Sequence, residues 1–269
     1  MNATGLQHAA ANEDVLLREE RDGVVTLTLN RPAQFNALSE AMLSALQAAL
    51  DDIAAEAGVR CVVLAAAGRA FCAGHDLKEM RANPRQDYYE TLFATCSRVM
   101  QSIVNLPVPV IARVHGMATA AGCQLVATCD LAVAAESATF AVSGINVGLF
   151  CSTPAVALSR NVAPKQAFDM LVTGRFVSAA EALSYGLVNR AVADGDLDEA
   201  VASLTADICA KSPVAVRTGK AMFARQRTMS LEDAYAYAGN VMACNMLAED
   251  AAEGIDAFIA KRKPVWTGR

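Results

Sequence analysis

The chain is short of charge and of aromatic rings: charged residues make up 19% and aromatics 6% of 269 residues, with a single tryptophan. Its charge leans acidic, 23 Lys+Arg against 28 Asp+Glu for a formal net charge of −5. With a pI near 5.3, this excludes a chain-wide electrostatic grip on nucleic-acid backbones, so no nucleic-acid partner is expected. None of the eight cysteines forms a Cys-x-x-Cys pair or stands near a histidine at ligand spacing. No metal centre is therefore expected, and the cysteines read as reduced core thiols of a cytoplasmic protein. The longest apolar stretch, 103–135, is broken by Asn105, Pro107, Pro109, Arg113, His115, Gln124 and Asp130, too many interruptions for a membrane span. Residues 1–12 carry no Lys or Arg and no apolar h-region; they read as a flexible tail rather than a signal or transit peptide.

What is present is aliphatic. Apolar residues reach 54% and the mean hydropathy is +0.28, led by alanine and valine, which implies a large core and large buried interfaces. At ~150 residues per domain the length allows one large domain or two small ones. Residues 15–30 alternate, break at Arg21-Asp22-Gly23 and resume, which predicts a β-hairpin. Ser39 is placed to cap a helix from Glu40 to about Ala54 with Met42, Leu43, Leu46 and Leu50 on one face. Buried strands are expected at Cys61–Ala66, Val110–Val114 and Leu131–Ala135, and a long helix from about Tyr88 to Asn105, stopped by Pro107 and Pro109. Strand pairs followed by a helix recur near residues 25, 62 and 111, a structural repeat without sequence identity. Beyond Pro154 helices fill the remainder, with caps or breaks near Pro164, Ser178, Gly186, Asp196, Pro213, Ser230 and Gly254. The fold class is α/β, with a core over 13–200 and a C-terminal helical region over 201–269.

Three motifs stand in order: Leu29-Asn30-Arg31-Pro32 with Asn36-Ala37-Leu38; Gly68-Arg69-Ala70-Phe71-Cys72-Ala73-Gly74-His75-Asp76-Leu77; and Ala120-Ala121-Gly122-Cys123-Gln124-Leu125 with Cys129-Asp130. Together they resemble the crotonase, or enoyl-CoA hydratase/isomerase, superfamily, from about Val15 to the closing Phe258–Pro264. The run Gly144–Pro154 is most similar to the enoyl-CoA hydratase domain-containing branch. The resemblance implies a spiral of ββα repeats followed by a helical trimerisation region, assembled as a homotrimer or homohexamer. It also implies an acyl-CoA substrate, coenzyme A entering as part of that substrate with no separately bound cofactor.

Chemistry on a CoA thioester builds negative charge on the thioester oxygen, and fixed N–H donors in a dry pocket stabilise it by about 3–4 kcal/mol each. By resemblance the donors are the backbone N–H groups of His75 and Ala121. Asn36, Ala37, Leu38, Ala73, Asp76, Leu77 and Lys78 are implied to line the CoA cleft, and Phe258 and Lys261 to reach its nucleotide end from a neighbouring subunit. Asp76 also reads as a helix N-cap, and Lys78 as either a phosphate partner or a solvated charge.

Two departures matter. The hydratase pattern places a glutamate at each of two positions that here hold Gln124 and Gly144, and neither residue exchanges a proton near neutral pH. Positioned acid–base groups contribute ~10²–10⁴-fold each, so ordinary hydration is expected to be weak or absent. The 140–151 segment is also similar to dihydroxynaphthoyl-CoA synthases, but Val142 and Cys151 replace the glutamine and aspartate those enzymes carry. Cys151 is then a thiolate candidate or a buried thiol, and the His75 imidazole is a candidate to enter the pocket. His115 reads as structural. Two functions stay open: an enolate-stabilising lyase or isomerase, and a catalytically degenerate acyl-CoA-binding module.

Overall fold

The computed structural model describes residues 14–269; the tail expected at 1–12 lies outside the described residues. The hairpin forms as its alternation predicts. β1 (Leu16–Arg21) and β2 (Val24–Leu29) pair antiparallel, and the connecting Asp22-Gly23 has φ of 53° and 77°, both positive as a two-residue hairpin turn requires. α1 (Glu40–Ala55) begins where Ser39 Oγ accepts the Met42 N–H, and buries Met42, Leu43, Leu46, Leu50 and Ile53.

The next strands alternate between two sheets. β3 (Cys61–Ala66), β5 (Val110–Val114), β7 (Leu131–Ala135) and β10 (Arg190–Val192) extend the hairpin into a six-stranded sheet of order β1-β2-β3-β5-β7-β10, parallel from β2 onward. The short β4 (Ala70–Cys72), β6 (Met117–Thr119), β8 (Thr139–Ala141) and β9 (Val177–Ser178) form a second sheet in that order. The chain thus climbs as a spiral, each long strand followed by a short one and then a helix. The structure amends the repeat in two ways. The unit near residue 25 keeps both strands in one sheet, and a further unit, β7–β8 with α5 (Ser152–Leu158), follows the one near 111. Strands of two or three residues carry too little periodicity to announce β8, β9 or β10.

The six-stranded sheet is covered on both faces, which is why β3 and β7 read as unbroken apolar runs. One face packs against α1, α3 (Gln86–Asn105) and α4 (Ala121–Thr128) in the main core. The other buries Cys61, Val63, Ile111, Val133 and Ala135 against Leu197 and Val201 of α8 (Leu197–Cys209). The boundary drawn at 200/201 therefore falls inside a helix that belongs to the core. α6 (Pro164–Thr173) and α7 (Ala179–Tyr185) precede it, α7 starting at a capping box between Ser178 and Glu181.

Beyond α8 run α9 (Pro213–Gln226), α10 (Leu231–Asn245) and α11 (Glu249–Ile259). α9 is riveted to the sheet by Lys220, whose Nζ donates to the Ile103 and Val108 carbonyls at 2.9 Å each and to Asp130 Oδ2 at 2.7 Å. Gly254, expected as a break, lies within α11. A Cβ there would sit 3.1 Å from the Trp266 ring, so the glycine admits the returning C-terminal segment rather than ending a helix. All eight cysteines are free thiols. Among the described residues no helix is long and apolar enough to cross a membrane.

Candidate functional site

The site forms where the β4–α2 connection meets the start of α4. Leading into α2 (Leu77–Ala82), the Leu38 N–H donates to the Gly74 carbonyl at 2.7 Å and the Asp76 N–H to the Leu38 carbonyl at 3.2 Å. This is a parallel bridge between Leu38 and His75; the flanking groups face Leu38, so the His75 N–H points the other way.

Gly74, with φ +92°, lies directly against the opposite strand–helix junction. A Cβ on it would stand 2.9 Å from Ala120 Cβ and 3.2 Å from the Ala121 nitrogen. Ala120 itself has φ 49° and ψ −117°, a conformation that costs a non-glycine residue about 1–3 kcal/mol. It is held there by its N–H donating to the Ala141 carbonyl at 2.9 Å and its carbonyl accepting the Gln124 N–H at 3.0 Å. Ala121 is the first residue of α4, so its N–H has no partner within the helix. Among the described residues neither the His75 nor the Ala121 N–H donates to a protein acceptor. Gly122 lets α4 settle on β4, since a Cβ there would lie 2.1 Å from the Cys72 carbonyl oxygen.

The side chains around these amides carry no free carboxylate from the positions singled out. Gln124 is 4% exposed, and its Oε1 has no hydrogen-bond partner. Gly144 lies in a 3-10 turn, Ser143–Val147, its N–H donating to Cys151 Sγ at 3.3 Å. A Cβ at 144 would meet the Leu149 carbonyl oxygen at 2.5 Å and Cys151 Sγ at 2.8 Å; the loop is folded so that no side chain fits. Burial pushes the Cys151 thiol up, against the smaller opposing effect of the Gly144 N–H. The thiolate reading of Cys151 therefore loses its electrostatic basis. His75 does turn inward: its ring stands edge-on to Phe93 at 5.4 Å, and burial lowers its pKa to about 4, so the imidazole is neutral at pH 7.

Several residues expected to line a CoA cleft are occupied by the fold. Asn36 is fully buried; its Oδ1 accepts the Arg31 N–H and its Nδ2 donates to the Ala67 and Ala70 carbonyls, all at 2.8 Å. It staples two loops together and has no donor left for a ligand. Ala37 and Leu38 are buried and contribute through the backbone. Asp76 is the N-cap of α2, accepting the Lys78 and Glu79 N–H groups, and its Oδ2 receives both Arg31 guanidinium nitrogens at 3.2 Å. That leaves half-buried Ala73 and the exposed Leu77 and Lys78. Arg31, which also donates to the Ala37 carbonyl at 3.0 Å, is the positioning residue that sequence reasoning missed, although it stood in the first motif. Phe258 is 85% exposed and Lys261 lies just past α11; α11 packs on α9, and within one chain neither joins the paired amides. A cavity of about 370 Å³ between α9, α10, α11 and Trp266 is likewise separate from them. Among the described residues no group of three His, Cys, Asp or Glu is placed to hold a metal ion.

Comparison with known proteins agrees with this geometry. The model of the family described as enoyl-CoA hydratase/isomerase matches residues 19–269. Among similar proteins, a rat protein named enoyl-CoA hydratase domain-containing protein 3, mitochondrial, is 46% identical over 248 residues, 92% of this chain and 83% of the relative. A crystal structure of an enoyl-CoA hydratase from Mycobacterium smegmatis superposes with a TM-score of 0.93 at 63% identity, covering 94% of this chain and 99% of the other. That of human enoyl-CoA hydratase domain-containing protein 3 gives 0.92 at 45% identity, covering 94% and 100%. The mitochondrial designation of the rat relative overturns the expectation of a cytoplasmic protein. Free thiols mark a reducing environment and do not by themselves tell one reducing compartment from another.

Proposed function

Because the chain belongs to the enoyl-CoA hydratase/isomerase family, we propose that it binds an acyl-CoA thioester and stabilises the thioester enolate through the His75 and Ala121 N–H groups. The observation that carries this is the pair of unengaged main-chain donors brought side by side by Gly74 and the strained Ala120. The thioester oxygen accepts from both, and the charge that develops on it is worth about 3–4 kcal/mol to each donor; the N-terminus of α4 adds to the field. Ala73, Leu77 and Lys78 line the approach for the pantetheine and nucleotide. Coenzyme A enters with the substrate.

Addition of water across a double bond needs one group to take a proton and another to give one. The Gln124 amide does neither, and position 144 has no room for a side chain. Ordinary hydration is therefore slow in this protein. That closed 144–151 loop favours the second reading, an acyl-CoA-binding module without turnover.

The C-terminal helices support assembly. Leu231, Leu247, Phe258 and Ile259 are 73% exposed or more, an apolar face of the kind that marks a protein interface. A homotrimer or homohexamer covers this face and brings Phe258 and Lys261 to the nucleotide end of a neighbour's cleft.

Incubation with a library of acyl-CoA thioesters, read by mass spectrometry, tests the reading. A new acyl-CoA product identifies the reaction, and binding without product selects the module. Turnover of crotonyl-CoA at the rate of an ordinary hydratase would refute the assignment of Gln124 and Gly144, and failure to bind any acyl-CoA would refute the site.

A further inference from the structure

Two polar atoms beside the paired amides are buried without a partner, Gln124 Oε1 and His75 Nε2. Gln124 follows Ala121 by three residues on α4, which places both on one side of the helix, about 4.5 Å apart along its axis at ~1.5 Å per residue. His75 carries the other amide, and its ring is fixed by the edge-on contact with Phe93. The two orphaned atoms therefore flank the point on which the His75 and Ala121 N–H groups bear. A buried polar atom left bare is costly, and native structures rarely leave one without a role.

Neither group moves a proton near neutral pH, since one is an amide and the other an imidazole whose pKa lies at about 4. Each still makes a hydrogen bond. An alkyl chain would leave both unpaired, and a carboxylate would set its own oxygens against the amide oxygen. A hydroxyl donates and accepts at once, so it can serve the amide oxygen and the imidazole nitrogen together.

We propose that Gln124 and His75 are specificity-determining residues that select an acyl thioester carrying a hydroxyl on C2 or C3 of the acyl chain. The proposal rests on the reading that the amides of 75 and 121 hold the thioester oxygen, because that contact places the first carbons of the acyl chain beside Gln124. The residue that stands where a hydratase has a proton-transfer group thus acts here as a reader of the substrate.

The test is calorimetric titration of the full-length protein with CoA, butyryl-CoA, 2-hydroxybutyryl-CoA and 3-hydroxybutyryl-CoA. One hydroxylated thioester is expected to bind about ten-fold tighter than butyryl-CoA, the scale of satisfying buried hydrogen-bonding groups. In Gln124→Met and in His75→Phe the ratio of the two affinities falls toward one, a readout that a merely structural role leaves unmoved. Equal affinity for butyryl-CoA and both hydroxybutyryl-CoAs in the wild type overturns this inference and leaves the thioester site standing, whether or not the variants fold. A preference kept in both variants overturns it as well. If no acyl-CoA binds better than CoA itself, the thioester reading falls, and this inference with it.

Discussion

Gly74 and Ala120, 46 positions apart in sequence, touch so closely that a methyl group on the first would lie 2.9 Å from the methyl group of the second. This contact sets the separation of the two free amides, because each residue immediately precedes one of them. Gly74→Ala combines a left-handed backbone with a clash, and is expected to cost about 2–3 kcal/mol of stability. Acyl-CoA affinity should fall at least ten-fold, measured by calorimetry at a temperature where the variant remains folded. Unchanged affinity would detach the amide pair from binding.

Ala120→Gly is expected to act in the opposite direction. Glycine adopts φ 49°, ψ −117° without the penalty that alanine bears there, although it adds freedom to the unfolded chain. The net gain should be about 1 kcal/mol in urea unfolding, with acyl-CoA binding retained. Loss of stability would show that Ala120 is not strained.

Gly144→Glu is expected to destabilise the protein by roughly 2 kcal/mol or more, since the first side-chain carbon meets the Leu149 carbonyl oxygen and Cys151 Sγ. Gln124→Glu alone keeps the shape of the site. The pair together should not yield hydratase activity, because the 144–151 loop must first open. Crotonyl-CoA hydration by the double variant, followed at the enoyl absorbance, decides the point.

His75 makes stability depend on pH. Its pKa falls from 6.5 in the unfolded chain to about 4 in the folded one through burial, so the folded state resists taking the proton that the unfolded state accepts. Its contribution is whole above pH 6.5 and is lost progressively as the pH drops toward 4. Urea unfolding at pH 7.5, 6 and 5 should show wild-type stability declining faster than that of His75→Phe. Parallel declines would remove His75 as the cause.

Lys220→Met removes a charge that serves three acceptors and leaves Asp130 without its cation. Burial already presses the Asp130 carboxyl toward its neutral form, against the opposing pull of Lys220. The cost is expected to be roughly 2–3 kcal/mol, below that of a wholly buried pair because Asp130 remains partly open to water. Thermal unfolding of the variant measures it.

The sequence by itself determined the local elements and the family. Alternation fixed the 16–29 hairpin; Ser39 and the spacing of Met42, Leu43, Leu46 and Leu50 fixed α1, and three ordered motifs identified the superfamily. These signals are legible because a neighbour three or four residues away in a helix, or two in a strand, decides which face is buried. Only the tertiary structure decided which strand enters which sheet, that Asn36 staples loops instead of lining a cleft, that position 144 excludes a side chain, and that the amides of His75 and Ala121 lie together without acceptors. Each of these depends on backbone brought from far along the chain, and on distances of a few tenths of an ångström that composition and periodicity do not encode.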